Sequence, residues 1–116
     1  MALELIQGLD IIDFIQTCGP LSEGLARFIF KQLVAGLSHI HDKGYCHRDI
    51  KSDNIIITEG CVPKILDFGF AKKKNGNVDM MYTKIVTPEY MAPEILAGAG
   101  YKGDEVDIFA LSIILF

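Results

Sequence analysis

The stretch His47-Arg48-Asp49-Ile50-Lys51-Ser52-Asp53-Asn54 sets two carboxylates, a lysine and an amide on one short polar loop. Apolar elements flank it on both sides, which makes the loop a site rather than a plain connection. Upstream, Leu25, Phe28, Ile29, Leu33, Leu37 and Ile40 recur at three- and four-residue spacing, the period of a helix with one buried face. Ser22 is placed to cap its start and Lys43-Gly44 to stop it. Downstream, the β-branched run Ile55-Ile56-Ile57-Thr58, the turn Glu59-Gly60 and the run Lys64-Ile65-Leu66 read as a small hairpin.

Directly after that hairpin comes Asp67-Phe68-Gly69. A strand end therefore delivers a further carboxylate beside the polar loop, and the glycine permits unusual dihedrals. Carboxylate and amide oxygens are hard ligands suited to Mg²⁺, which takes few protein groups and completes its shell with phosphate oxygens and water. The chemistry this pattern suggests is phosphoryl transfer. From Asp67 to Pro93 the periodicity fades into glycines, lysines, methionines and Thr-Pro, a length that points to a functional loop.

Nearer the start, Leu3 to Ile6 reads as an extended run that Gly8 breaks. Leu9, Ile11, Ile12, Phe14 and Ile15 then begin a short helix-like cluster closed by Gly19-Pro20. Near the end, Asp104 is expected to cap a final helix. That helix runs into Ile108–Phe116, an apolar stretch broken only by Ser112 and well short of the roughly 20 residues that a membrane span needs.

Composition bounds the rest. Half of the 116 residues are apolar, and 11 basic side chains face 15 acidic ones for a formal net charge of -4. With a pI near 5.2 and a mean hydropathy of +0.30, the chain is neither a typical polyanion binder nor a disordered tail. The cysteines, Cys18, Cys46 and Cys61, are odd in number and far apart, which indicates a reducing compartment, with the cytoplasm as the default. No basic, apolar leader opens the sequence, and no targeting segment is expected.

H-R-D-x-x-x-x-N at 47–54, D-F-G at 67–69 and A-P-E at 92–94 together resemble the signature set of the eukaryotic protein kinase family. The resemblance runs over essentially the whole chain. It implies an α+β fold, mainly the helical C-terminal lobe of a kinase with a small β-hairpin at the catalytic site. Residues 1–116 would be one incomplete kinase domain, lacking the N-terminal lobe and the last helices.

By that resemblance the activity is ATP-dependent transfer of a phosphoryl group to a Ser/Thr hydroxyl of a protein substrate, with ATP and Mg²⁺ as cofactors. Asp49 would be the catalytic base and Lys51 would touch the transferred phosphate. Asn54 and Asp67 would hold the metal. The hinge main chain at Glu4 and Ile6 would meet the adenine edge, Asp10 would reach the ribose, Ile56 would floor the ring, and Leu3 would be the gatekeeper. Lys51 after Arg48-Asp49-Ile50, with Thr87-Pro88-Glu89-Tyr90, favours serine/threonine over tyrosine specificity. Thr83 stands where many family members carry an activating phosphothreonine, Arg48 being its usual partner. That implies an upstream activating kinase among the partners; nucleic acid and membrane are not expected. Asp107 would anchor the backbone of the catalytic loop.

The glycine-rich loop, the strand lysine and the helix glutamate of the family have no counterpart in this sequence. The chain read by itself is therefore expected to be an inactive piece of a kinase. The alternative is a non-catalytic, pseudokinase-like interaction module or a truncated gene product. His39 and His41, two apart, point to different helix faces and are not read as a zinc pair. Lys72-Lys73-Lys74 is read as a solvated run.

Overall fold

The computed structural model describes residues 2–74, 80–81, 88–98 and 100–115. In chain order the elements are β1 (Gly8–Asp10), α1 (Ile11–Cys18), α2 (Glu23–Asp42), β2 (Tyr45–Cys46), β3 (Ile55–Thr58) and β4 (Pro63–Ile65). There follow β5 (Lys72–Lys73), β6 (Met80–Met81), α3 (Pro93–Ala97), β7 (Tyr101–Lys102) and α4 (Gly103–Leu115). Short 3₁₀ turns at Ser52–Asn54 and Pro88–Tyr90 complete the order. The mixture of helices and short antiparallel strands is the α+β arrangement expected.

Helix α2 forms where its period and caps require. Ser22 Oγ accepts the Leu25 N–H at 3.2 Å, satisfying one of the donors that a helix start leaves open. At the other end the Lys43 N–H reaches His39 O at 3.0 Å and the Gly44 N–H reaches His41 O at 3.0 Å. Gly44 takes the left-handed conformation (φ 84°) that a helix stop favours. Ile29, Leu33 and Leu37, spaced by four, bury one stripe, each contributing about 1.5–3 kcal/mol. Against that stripe pack Ile11 of α1, Ile50, Ile55 and Ile57, and Ala110 and Leu111 of α4. A second cluster, of Cys46, Ala92, Ile95, Tyr101 and Val106, sits where β2, α3, β7 and the start of α4 meet.

The hairpin forms as read, with β3 and β4 antiparallel and Ile55 opposite Ile65. It gains a third strand that the sequence reading takes for a break. Gly8 is the first residue of β1, which pairs with the outer edge of β3, Gly8 opposite Thr58 and Asp10 opposite Ile56. The reason is close approach: a Cβ on Gly8 would stand 2.4 Å from the Ile57 carbonyl oxygen, so only glycine lets the strands meet there.

The last helix also begins differently. α4 starts at Gly103, and Asp104 lies within its first turn instead of capping it. Its carboxylate is used elsewhere, as described below. Ile108 and Leu115 keep more than half of their surface exposed, whereas a segment apolar on all sides ordinarily lies buried. Among the described residues no helix is long and apolar enough to cross a membrane.

Candidate active site

The chain enters the site from β2 and leaves it through the turn Ser52–Asn54 into β3. Between them His47, Arg48, Asp49 and Ile50 are all buried. Buried polar groups must be paired, and the partner that does most of this lies about sixty residues away in sequence. Asp107, 1% exposed, accepts the His47 N–H through Oδ2 and the Arg48 N–H through Oδ1, both at 2.8 Å. His41 Nε2 meets the same Oδ2 at 2.9 Å. The anchoring role expected of Asp107 is thus present as two backbone hydrogen bonds and one side-chain bond.

His47 is fixed in turn. Its Nε2 lies 2.8 Å from the Leu66 carbonyl oxygen, and its Nδ1 accepts the Asp49 N–H at 3.1 Å. A carbonyl can only accept, so both contacts are met by a neutral ring with its proton on Nε2. Arg48 adopts a left-handed backbone (φ 68°), uncommon for a residue with a long side chain. The Asp107 bond to its N–H and a 2.8 Å bond from its Nε to the Phe70 carbonyl hold it there.

Three of the expected site residues come together on this loop. Asn54 donates through Nδ2 to the Asp49 carbonyl oxygen at 2.9 Å and to Asp49 Oδ2 at 3.0 Å, which turns its amide oxygen the other way. Lys51 Nζ stands 3.8 Å from the same Asp49 Oδ2. Asp67 approaches through the hairpin. The Leu66 N–H donates to the Asn54 carbonyl oxygen at 2.7 Å, extending the β3–β4 register by one pair. Asp67 therefore follows immediately after the residue opposite Asn54. It is exposed and left-handed (φ 59°), a conformation aspartate tolerates, and its Oδ1 accepts the Gly69 N–H at 3.1 Å.

An amide oxygen and an exposed carboxylate at adjoining strand ends suit a Mg²⁺ ion that keeps water and phosphate in the rest of its shell. Among the described residues no group of three or more His, Cys, Asp or Glu is gathered as a metal cage.

The other expected positions are distributed along β1 and its approach. Glu4 lies in the exposed stretch before β1, where its carboxylate meets Lys64 Nζ at 3.2 Å. Ile6 is half-buried in the same stretch, and Leu3 is exposed. Asp10 caps α1, its Oδ1 accepting the Asp13 N–H at 2.9 Å, and pairs across the sheet with Ile56. Thr83 lies outside the described residues.

Several contacts escape the sequence reading. His41 continues the 29–33–37 spacing by one more step of four, a signal that does place it on the buried stripe. Lys74 departs from the solvated run expected of 72–74: its Nζ meets Asp104 Oδ2 at 2.9 Å. The Cys46 thiol donates to Asp104 Oδ1 at 3.1 Å. Burial first, and then the Asp104 carboxylate, push the Cys46 thiol up to about 12. For Asp104 burial acts upward, but the hydrogen bonds from Lys74 and Cys46 outweigh it and hold the carboxyl below its ordinary range.

A protein kinase domain model matches residues 1–116. Maternal embryonic leucine zipper kinase of Xenopus tropicalis is 37% identical over all of this chain, which spans 18% of that protein. CBL-interacting serine/threonine-protein kinase 24 of Arabidopsis thaliana is 38% identical over all of the chain, covering 26% of its own length. Serine/threonine-protein kinase PSK1 of Saccharomyces cerevisiae is 42% identical over 93% of the chain and 8% of its own length. The chain belongs to the protein kinase family. Two of these three relatives are named as serine/threonine-protein kinases, and the family in general uses ATP and Mg²⁺. The chain spans less than a third of the length of each of these three relatives.

Proposed function

We propose that residues 1–116 make up part of one kinase domain that transfers a phosphoryl group from Mg-ATP to a serine or threonine hydroxyl of a protein. The observation that carries this reading is the Leu66–Asn54 hydrogen bond across the hairpin, which puts Asp67 one residue past the position opposite Asn54, beside the Asp49–Lys51–Asn54 cluster. The transition state of such a transfer is loose and spreads charge over phosphoryl oxygens, so catalysis is mainly positioning and electrostatics. Bound Mg²⁺ would offset that charge. Asp49 would accept the hydroxyl proton, held in place by the Asn54 amide on its Oδ2. Lys51 would lend positive charge to the transferred group, and Asn54 and Asp67 would present oxygens to the metal. The main chain at Glu4 and Ile6, with Asp10 and Ile56, would receive the nucleoside. Thr83 is the proposed site of an activating phosphorylation by another kinase, and the three free thiols favour a reducing compartment such as the cytoplasm.

The test uses the longest polypeptide that the source transcript encodes around this chain. Transfer of labelled phosphate to a mixed Ser/Thr peptide library is expected, and Asp49→Asn should lower kcat by about 10²–10⁴-fold. Mg-ATP should raise the melting temperature, and Asp67→Asn should remove that rise. A protein that neither transfers phosphate nor responds to Mg-ATP is instead a non-catalytic interaction module.

A further inference from the structure

The 3₁₀ turn Ser52–Asn54 joins Lys51 to Asn54, and one side chain from outside the loop reaches its first residue. Tyr90 OH lies 2.9 Å from Ser52 Oγ and accepts the Ser52 N–H at 3.4 Å. Ser52 is 7% exposed, so these groups have little water to turn to. The Tyr90 ring packs against both apolar clusters, which fixes where its hydroxyl points. Tyr90 closes the turn Pro88–Tyr90 that leads into α3, on the far side of the 67–93 stretch from Asp67.

We propose that Tyr90 is a positioning residue: its hydroxyl, paired with Ser52, registers the segment before α3 against the turn that carries Lys51 and Asn54. The inference rests on the kinase reading above and adds to it a specific coupling between the catalytic loop and the far end of the 67–93 loop. Within the turn the Asn54 N–H reaches the Lys51 carbonyl at 3.0 Å, and Asn54 holds Asp49. A shift of Ser52 is therefore passed to all three polar groups, and small misplacements of reacting groups are costly.

The experiment is a double-mutant cycle on kcat in the same transcript-defined polypeptide. Tyr90→Phe keeps the packed ring and removes only the hydroxyl; Ser52→Ala removes its partner. Each is expected to lower kcat for peptide phosphorylation by about tenfold, with KM for Mg-ATP unchanged to within about twofold. The double variant should be no slower than either single one, since one contact is lost in all three. Ser52→Thr, which keeps a hydroxyl, should recover most of the rate. Wild-type kcat in Tyr90→Phe, single losses that multiply in the double variant, or a kcat loss that follows only the folded fraction would overturn the coupling while leaving the kinase reading intact. Absence of any Asp49-dependent transfer in the parent would overturn both.

Discussion

Asp49 and Asp67 serve the same proposed chemistry from neighbouring strand ends, yet the first is 3% exposed and the second lies open to solvent. Around Asp49 the backbone is tied to Asp107, the imidazole of His47 to Leu66, and the Asn54 amide to the carboxylate itself. The Asp67 carboxylate accepts the Gly69 N–H, and the surrounding ties run through its neighbours, Leu66 to Asn54 and His47, Phe68 to Ala71 and Phe70 to Arg48, with Phe68 resting edge-on against His47 at 5.0 Å. The group proposed to handle a proton is thus held on all sides, whereas the group proposed to meet a hydrated ion keeps access to water. Hydrogen bonds in a buried loop are costly to lose because nothing replaces them; an exposed carboxylate exchanges its partners for water at little cost.

The sharpest way to break this contrast is Asp107→Ala. It leaves the buried N–H groups of His47 and Arg48 without an acceptor and His41 without its nearer carboxylate, so unfolding by urea should show a loss of about 3–5 kcal/mol. A loss below about 1 kcal/mol would mean that the loop is held by its own contacts and not from α4.

A smaller effect tests the link between the two halves. Cys46 enters the catalytic loop, Lys74 follows the Asp67 segment, and Asp104 bonds both. The thiol is raised from 9.0 to about 12 in the folded chain. Between those values the unfolded chain has lost this proton and the folded one keeps it, so stability falls as pH rises across that window. Asp104 is depressed, so its contribution is present above its ordinary value of 3.8 and is lost as pH falls through the lower folded value. Melting temperature against pH should show both limbs, and Cys46→Ala should flatten the alkaline one. An unchanged alkaline limb in Cys46→Ala would remove the thiol from this link.

The smallest change in stability is expected from Asp67→Asn. Asparagine tolerates the left-handed backbone as well, and the site is exposed, so chemical denaturation should move by less than about 0.5 kcal/mol. A destabilisation comparable to that of Asp107→Ala would place Asp67 among the structural anchors and erase the contrast.

Much of this was legible from residue order. The α2 stripe, its Ser22 and Gly44 ends, and the β3–β4 hairpin follow from period, capping chemistry and β-branched runs, all of which act over a few residues. The 47–54 and 67–69 strings marked the site for the same reason. Gly8 was misread because a glycine that breaks a strand and one that permits a tight strand pair look alike until the partner strand is known. Lys74 was misread because its partner, Asp104, is thirty residues on. His41, by contrast, carried a usable signal, being four residues past Leu37 on the buried stripe.

What the sequence determined by itself, then, is the local propensity of each segment and the chemical inventory of the loop. Both are properties of neighbours along the chain. Only the tertiary structure decided that Asp107 would hold Arg48 in a left-handed backbone and that Tyr90 would reach Ser52. Those contacts span 59 and 38 residues and exist because burial of the two apolar clusters brings distant segments together. Once brought into the dry interior, the polar groups had to find one another.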